Sequence, residues 1–298
     1  MAPSDPANAG GGRILLATDL SARCDRALDR ACALAEAWDA TLHVVTAVEA
    51  DAATAAAVGA AARAEAEAEL ADAIGERPVR RQVEVVAGRP DAVICEAARR
   101  LKPDLIVVGV ARNEILGRMR PGRTVEALVR EACAPFLVVK RRTRGPYGQV
   151  LVPSDFSPAA EQALVRAAAM FPEAAFTLLH AYRVPFTGFL SESEHDAEMR
   201  AMALEDQQAF VERVQAEAGR PLNITPRVEY GGPDERIDRF LRDHAPDLMV
   251  LGAHARGGLL ERLAPDVAGR LLMAAACDVL VVPERSVARA APSRTQTA

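Results

Sequence analysis

The sequence predicts two tandem doubly wound α/β sandwich domains, each with a five-stranded parallel sheet, and three observations lead there. The first is an internal repeat: Ile14-Leu15-Leu16-Ala17-Thr18-Asp19-Leu20-Ser21 returns as Val150-Leu151-Val152-Pro153-Ser154-Asp155-Phe156-Ser157. The second is that the repeat continues in order, which separates it from a chance octapeptide. Pro103-Asp104-Leu105-Ile106-Val107-Val108-Gly109 returns as Pro246-Asp247-Leu248-Met249-Val250-Leu251-Gly252, and Phe136-Leu137-Val138-Val139 as Val279-Leu280-Val281-Val282. The third is that short apolar runs alternate with helix-like segments, the pattern of a parallel sheet covered by helices on both faces.

In the first copy, residues 14–18 read as a buried strand because they form a short apolar run, and 23–38 as the helix that follows. Residues 41–48 are rich in β-branched side chains and predict a second strand. The Ala/Glu-rich stretch 50–74 predicts a helix, 82–86 a strand, 91–101 a helix and 105–108 a strand. A long loop is expected next, then a helix over 124–132 and a fifth strand over 136–139. Asp19 maps to Asp155 at an offset of 136 but Gly109 to Gly252 at 143, so the second copy carries seven extra residues. They are placed near its second helix, where 185–195 has no clear counterpart. The predicted domains are 13–140 and 149–283, joined by a solvated linker whose Gly, Pro and basic residues span 140–148, with disordered tails over 1–12 and 284–298.

At 298 residues each domain is large enough to bury a core of its own. The net charge of −5 argues against nucleic acid held by overall electrostatics, which needs a basic face. Cys24, Cys32, Cys95, Cys133 and Cys277 form no CxxC pair and read as small buried hydrophobes in a reducing compartment. His43, His180, His195, His244 and His254 show no metal-ligand spacing, so no metal is expected. His43 and His180 read as satisfied core or edge residues, and the polar stretch around His195 as surface. The N-terminus has no apolar core, so neither a leader nor a membrane span is expected there, and the expected location is cytoplasmic.

Open parallel sheets bind ligands beyond the carboxyl ends of their strands, where the strand order switches. Asp19 and Asp155 follow first strands and Gly109 and Gly252 end fourth strands, so both pairs are expected on that edge. Each aspartate has a hydroxyl residue two places on. Nucleophilic catalysis would further need a base and an oxyanion site, and no residue in the pattern supplies either. Two readings stay open: the carboxylates bind a ligand, or they cap the following helices.

Taken together, these motifs resemble the universal stress protein family in its tandem form, an adenine nucleotide alpha hydrolase-like fold. The resemblance rests on the first-strand Asp with Ser two residues later, on the Gly-x-Pro turns at Gly88-Arg89-Pro90 and Gly231-Gly232-Pro233, on Pro-Asp-Leu-x-Val-x-Gly, and on the final strand. It implies a role in stress response, with some relatives binding ATP through G-x2-G-x9-G-S/T after the fourth strand. Glycines there admit the backbone to the phosphates at a helix N-terminus. In the first copy Gly109 and Gly122 keep two of the glycine places, but Arg112 takes the second and Arg123 the hydroxyl place, with Thr124 one position late. In the second, Gly252 and His254 fit, while Ala255, Pro265 and Asp266 replace the remaining residues.

The candidate ligand residues are therefore Thr18, Asp19, Gly109, Arg112, Gly122, Arg123 and Thr124, with Asp155, Gly252, His254, Ala255, Pro265 and Asp266 as vestigial counterparts. ATP is conceivable in the first copy and disfavoured in the second, where Pro265 lacks an N–H and Asp266 repels phosphate. The cationic stretch holding Arg112, Arg118, Arg120 and Arg123 suits a phosphorylated or other anionic small molecule. The expected activity is non-catalytic ligand binding or interaction. The alternatives are an ATP-binding protein with slow ATPase activity through the first copy, and an interaction scaffold without a small ligand. Single-domain relatives commonly dimerise through the fifth strand, which implies an intramolecular pseudo-dimer here, with further self-association left open.

Overall fold

A computed structural model of the chain describes residues 12–22, 24–48, 55–110, 113–115, 118–120, 122–131, 134–183, 192–253, 271–272 and 275–283. The expected tails, apart from Gly12, lie outside these residues. The chain divides into two compact units, with its main break between Gly145 and Pro146.

The first unit contains β1 (Arg13–Ala17), α1 (Asp25–Trp38), β2 (Thr41–Val48), α2 (Ala55–Ile74), β3 (Arg81–Ala87), α3 (Pro90–Leu101) and β4 (Leu105–Gly109). The chain then passes through β5 (Asn113–Ile115) and β6 (Arg118–Arg120), which group with the second unit, before α4 (Arg123–Glu131) and β7 (Phe136–Val139) complete the first unit. Its five long strands run parallel in the order β3-β2-β1-β4-β7. The second unit repeats the plan with β8 (Gln149–Pro153), α5 (Pro158–Met170), β9 (Ala175–Tyr182), α6 (Glu192–Ala218), β10 (Ile224–Tyr230), α7 (Pro233–His244), β11 (Leu248–Ala253) and β12 (Asp278–Pro283). Its strands are parallel in the order β10-β9-β8-β11-β12. These are the doubly wound α/β sandwiches that the alternation predicts. Ile14, Leu15, Leu16 and Leu105, Ile106, Val107 are fully buried, which is why these runs are apolar at every position rather than at alternate ones.

The Pro-Asp pair before each fourth strand performs a mechanical task. Asp104 Oδ2 accepts from the Arg13 amide at 2.8 Å, and the Asp104 amide returns a bond to Arg13 O at 2.8 Å. In the second unit Asp247 Oδ2 accepts from both Gly148 N (3.1 Å) and Gln149 N (3.0 Å), and its own amide donates to Gln149 O at 2.9 Å. A short side chain thus satisfies the amides at the start of a central strand and sets its register against the fourth strand, Ile14 opposite Leu105 and Val150 opposite Leu248. The Gly-x-Pro turns have a similarly local cause. Gly88 (φ +146°) and Gly231 (φ +137°) adopt a backbone that side-chain-bearing residues avoid. Pro90 and Pro233 then start α3 and α7, where a missing N–H costs nothing.

Several features depart from the sequence expectations. The stretch after β4 is not a plain loop: β5 and β6 pair antiparallel, Asn113 with Arg120 and Ile115 with Arg118. Three-residue strands are too short to show a period in the sequence. The extra length of the second copy, by contrast, goes where the repeat offset placed it, into the second helix, α6 having 27 residues against 20 in α2. The 140–148 stretch is exposed at Arg141, Arg142, Arg144, Gly145 and Pro146, as expected of a solvated linker, but it is also anchored. Arg26 and the buried Arg30 of α1 donate to Lys140 O (2.7 Å) and Gly145 O (2.8 Å). On the other side of the break Tyr147 is only 4% exposed and its hydroxyl donates to the buried Asp278 at 2.6 Å. Composition marks the linker without revealing these anchors, because Gly, Pro and charge do not say where polar groups find partners. Gln207 of α6 is likewise buried; its amide donates to Leu178 O (3.1 Å) and Arg227 O (3.2 Å), beside Pro226, which has no N–H to give the sheet.

Replacing Asp247 with Ala leaves two amides without their carboxylate acceptor and should lower stability by about 1–3 kcal/mol. Asp104→Ala, which frees one amide, should cost less. Urea unfolding of the full chain distinguishes the two, and parental stability in both variants would show that the carboxylates do not hold these strands.

Candidate functional site

In each unit the strand order reverses beside the first strand: β1 lies between β2 and β4, and β8 between β9 and β11. The crevice of such a sheet lies past the ends of these strands. Thr18 and Asp19 follow β1, and Gly109 ends β4 opposite Val139. The sheet therefore brings together Thr18, Asp19 and Gly109 at one edge, as the spacing predicted.

Both copies build the same turn at that edge. The residue after each aspartate is left-handed, Leu20 at φ 56° and Phe156 at φ 60°, a conformation costing about 1–2 kcal/mol for a residue with a side chain. Hydroxyls hold it: Thr18 Oγ1 accepts from Leu20 N at 2.9 Å and Ser154 Oγ accepts from Phe156 N at 3.0 Å. Both hydroxyl residues are buried. The aspartates close the next step. Asp19 Oδ1 accepts from Ser21 N (3.0 Å) and Ser21 Oγ (2.5 Å), and Asp155 Oδ1 from Ser157 N (3.1 Å).

Helix capping, one of the two readings left open for the aspartates, is not what Asp155 does. Ser157 Oγ accepts from Ala160 N and is itself the cap of α5, whereas α1 begins after Cys24 with no side-chain cap. The aspartates instead brace the serine that follows. Cys24 lies close to Asp19, and burial, more than that carboxylate, pushes its thiol pKa up; Cys32 is raised chiefly by burial as well. Cys32, Cys95 and Cys277 are buried, and Cys133 is outside the described residues.

The edge of the second unit is filled. The Phe156 ring stacks on His180 at 4.2 Å and meets Phe210 at 5.5 Å, while His180 Nδ1 lies 2.8 Å from Ser154 O, so that nitrogen carries the proton. The space bounded by Ser154, Asp155, His180 and Pro233 amounts to about 50 Å³. Repeat alignment puts Leu20 and Thr46 at the places of Phe156 and His180 in the first unit. Sequence reasoning missed Ser154, Phe156 and His180 as a group; the signal available was that Ser154 stands at the repeat place of Thr18.

A family model described as the universal stress protein family matches residues 12–140 and 146–283. The chain belongs to the universal stress protein family. Among solved structures it is similar to a universal stress protein from Archaeoglobus fulgidus DSM 4304, with TM-score 0.65, 17% identity, and 91% of this chain covering 98% of that one. A Pseudomonas aeruginosa UCBPP-PA14 chain assigned to the same family gives TM-score 0.64 and 18% identity over 94% of this chain and 95% of its own. A functionally unknown protein from Pseudomonas aeruginosa PAO1 gives 0.63 and 19% over the same shares. At these identities the likeness is one of fold. Among curated proteins none matches the chain.

Of the family's phosphate-loop positions, Gly122 is buried just before α4, Arg123 is exposed at its first residue and Thr124 is half-buried. Arg118 and Arg120 fall on β6. Arg112, His254, Ala255, Pro265 and Asp266 lie outside the described residues. Gly252 has a packing reason of its own. A Cβ there would meet Ala159 O at 2.5 Å and Ala160 N at 2.9 Å, so the glycine admits the first turn of α5 against the end of β11. Its presence in the second copy is accounted for without any ligand.

Gly252→Ala should therefore destabilise the protein by about 1–3 kcal/mol through overpacking, with no ligand added. Thermal or urea unfolding checks it, and a neutral result would return Gly252 to a purely ligand-directed role.

Proposed function

We propose that this tandem universal stress protein is a non-catalytic stress-response protein whose ligand capacity resides in the first unit and takes an anionic small molecule. The observation that carries the reading is the contrast between the two strand edges. In the second unit about 50 Å³ remains beside the Phe156–His180 stack, far below the roughly 300 Å³ at which small-molecule sites begin. The first unit has smaller side chains at both places, and its α4 starts with Gly122 behind it and the exposed Arg123 at the positive end of the helix. Asp19 stays exposed on the same edge. Thr18, Asp19, Gly109, Arg112, Gly122, Arg123 and Thr124 form the proposed site, with the degenerate loop ill suited to the family's triphosphate pose.

A scaffold role is the second reading, supported by two large apolar side chains exposed on α6, Met202 at 52% and Leu204 at 47%. Among the described residues no helix is long and apolar enough to cross a membrane.

Sulfate or inorganic phosphate at low ionic strength should raise the melting temperature, and Arg123→Ala should reduce that rise. ATP with Mg2+ should not be hydrolysed. The absence of an anion-dependent shift would sink the anion site, and hydrolysis abolished by Asp19→Ala would establish the ATPase alternative instead.

The fifth strands extend the proposal to assembly. β7 and β12 each lie last in their unit's strand order, yet all their residues are buried. This supports pairing of the two strands within one chain as a pseudo-dimer, since apolar edges need cover. Val138→Asp and Val281→Asp should loosen the chain in solution scattering and speed proteolysis near Gly145. Unchanged compactness and stability in both variants would rule this pairing out.

A further inference from the structure

β3 lies last in the strand order of the first unit and β10 last in that of the second, so among the described residues each pairs with a neighbour on one side only. In a parallel pair the residues of a strand alternate, one bonding its neighbour through both N–H and C=O and the next directing both away. Leu42 N donates to Arg80 O at 2.8 Å and Gly88 N to Val48 O at 3.0 Å, so Gln82, Glu84 and Val86 bond inward to β2. Arg81, Val83, Val85 and Ala87 therefore direct their backbone groups outward. On β10, the bonds from Phe176 N to Asn223 O (2.8 Å) and from Gly231 N to Tyr182 O (2.9 Å) turn Ile224, Pro226, Val228 and Tyr230 outward in the same way.

The two edges differ at one place of the repeat. Pro226 has no N–H on the outward side, which blunts that edge against a further strand. Val83 stands at the same place in the first unit, because it pairs with Val44 as Pro226 pairs with Leu178. β3 runs along β2 from Arg81 to Ala87 without a bulge, and it contains no proline. Its edge is also uncovered. A recess of about 560 Å³ straddles the strand, bordered by Arg81 and Val83 of one face, Gln82 and Glu84 of the other, and by Arg63 of α2 and Arg100 of α3.

We propose that β3 is a self-association edge, to which a second copy of this chain adds its own β3 antiparallel about a two-fold axis. Charge selects the register. An axis through Val83 sets Arg81 opposite Val85 and Gln82 opposite Glu84, so each amide donates to a carboxylate and no like charges meet. An axis through Glu84 would oppose two carboxylates, and one through Val85 would give Glu84 only the aliphatic Val86. The surface is separate from the strand-end site and from the fifth strands.

Sedimentation velocity of the full chain over a concentration series tests the proposal, with amide hydrogen exchange as a second readout. A reversible dimer is expected, with exchange at Val83 and Val85 slowing as it fills. Val83→Pro, which copies the second unit and removes only an outward N–H, should raise the dissociation constant roughly tenfold or more. Gln82→Glu should weaken the dimer by opposing two carboxylates, whereas Gln82→Lys should not. Urea unfolding checks that Val83→Pro folds; the Gln82 variants alter only an exposed side chain and decide the matter without it. A chain that stays monomeric, a dimer indifferent to Val83→Pro or to Gln82→Glu, equal weakening by Gln82→Glu and Gln82→Lys, or a dimer without protection at Val83 and Val85 would each overturn the proposal.

Discussion

The clamp between a carboxylate and the backbone at the start of each central strand is the constraint on which the rest depends. Asp104 holds Arg13, and Asp247 holds Gly148 and Gln149, so the first and fourth strands of each unit begin in a fixed register. Because parallel strands rise together, the same register determines where they end. Thr18 and Asp19 therefore arrive beside Gly109, and Ser154 and Asp155 beside Gly252. A charged pair bonded through side chains alone would be free to slip; here the main-chain amide of each aspartate returns the bond and locks both partners.

The edge that results carries a turn held in a costly conformation twice over. Leu20 and Phe156 are left-handed because a buried hydroxyl two residues earlier captures their amides and the aspartate captures the next one. The same backbone then serves two different surroundings. In the second unit the left-handed residue is aromatic, and its ring joins His180 and Phe210 to fill the space beneath the edge. In the first unit the corresponding side chains are aliphatic or hydroxylic. The same turn thus stands in two different packings, aromatic in the second copy and aliphatic in the first.

Glycine shows how a motif position can have more than one cause. Gly252 lies where the family's phosphate loop begins, yet the backbone of Ala159 and Ala160 occupies the space that a Cβ would need. That close approach belongs to the packing of α5 on β11 and is present with or without a nucleotide. Matching a glycine to the motif is consequently weaker support for a ligand than matching the residues at the start of the following helix, where Gly122 is kept but Arg123 takes the place of the hydroxyl residue.

The repeat, the alternation of strand and helix and the order of motifs were legible in the sequence by itself, because apolar periodicity and turn residues are local consequences of backbone geometry. The second strand over Thr41–Val48 and the fifth over Phe136–Val139 match the predicted ranges. The placement of Asp19 and Gly109 on one edge followed from strand order rules alone. Three things were decided only by tertiary structure. Tyr147 and Arg30 turned an apparent tether into anchored chain, since their partners, Asp278 and Gly145, are 131 and 115 residues away. Whether Asp155 capped a helix or braced a turn depended on angles that composition does not encode. And the difference between the two edges depended on which side chains from α6 and β9 met Phe156, a question of distances between residues far apart in the chain that no local pattern can answer.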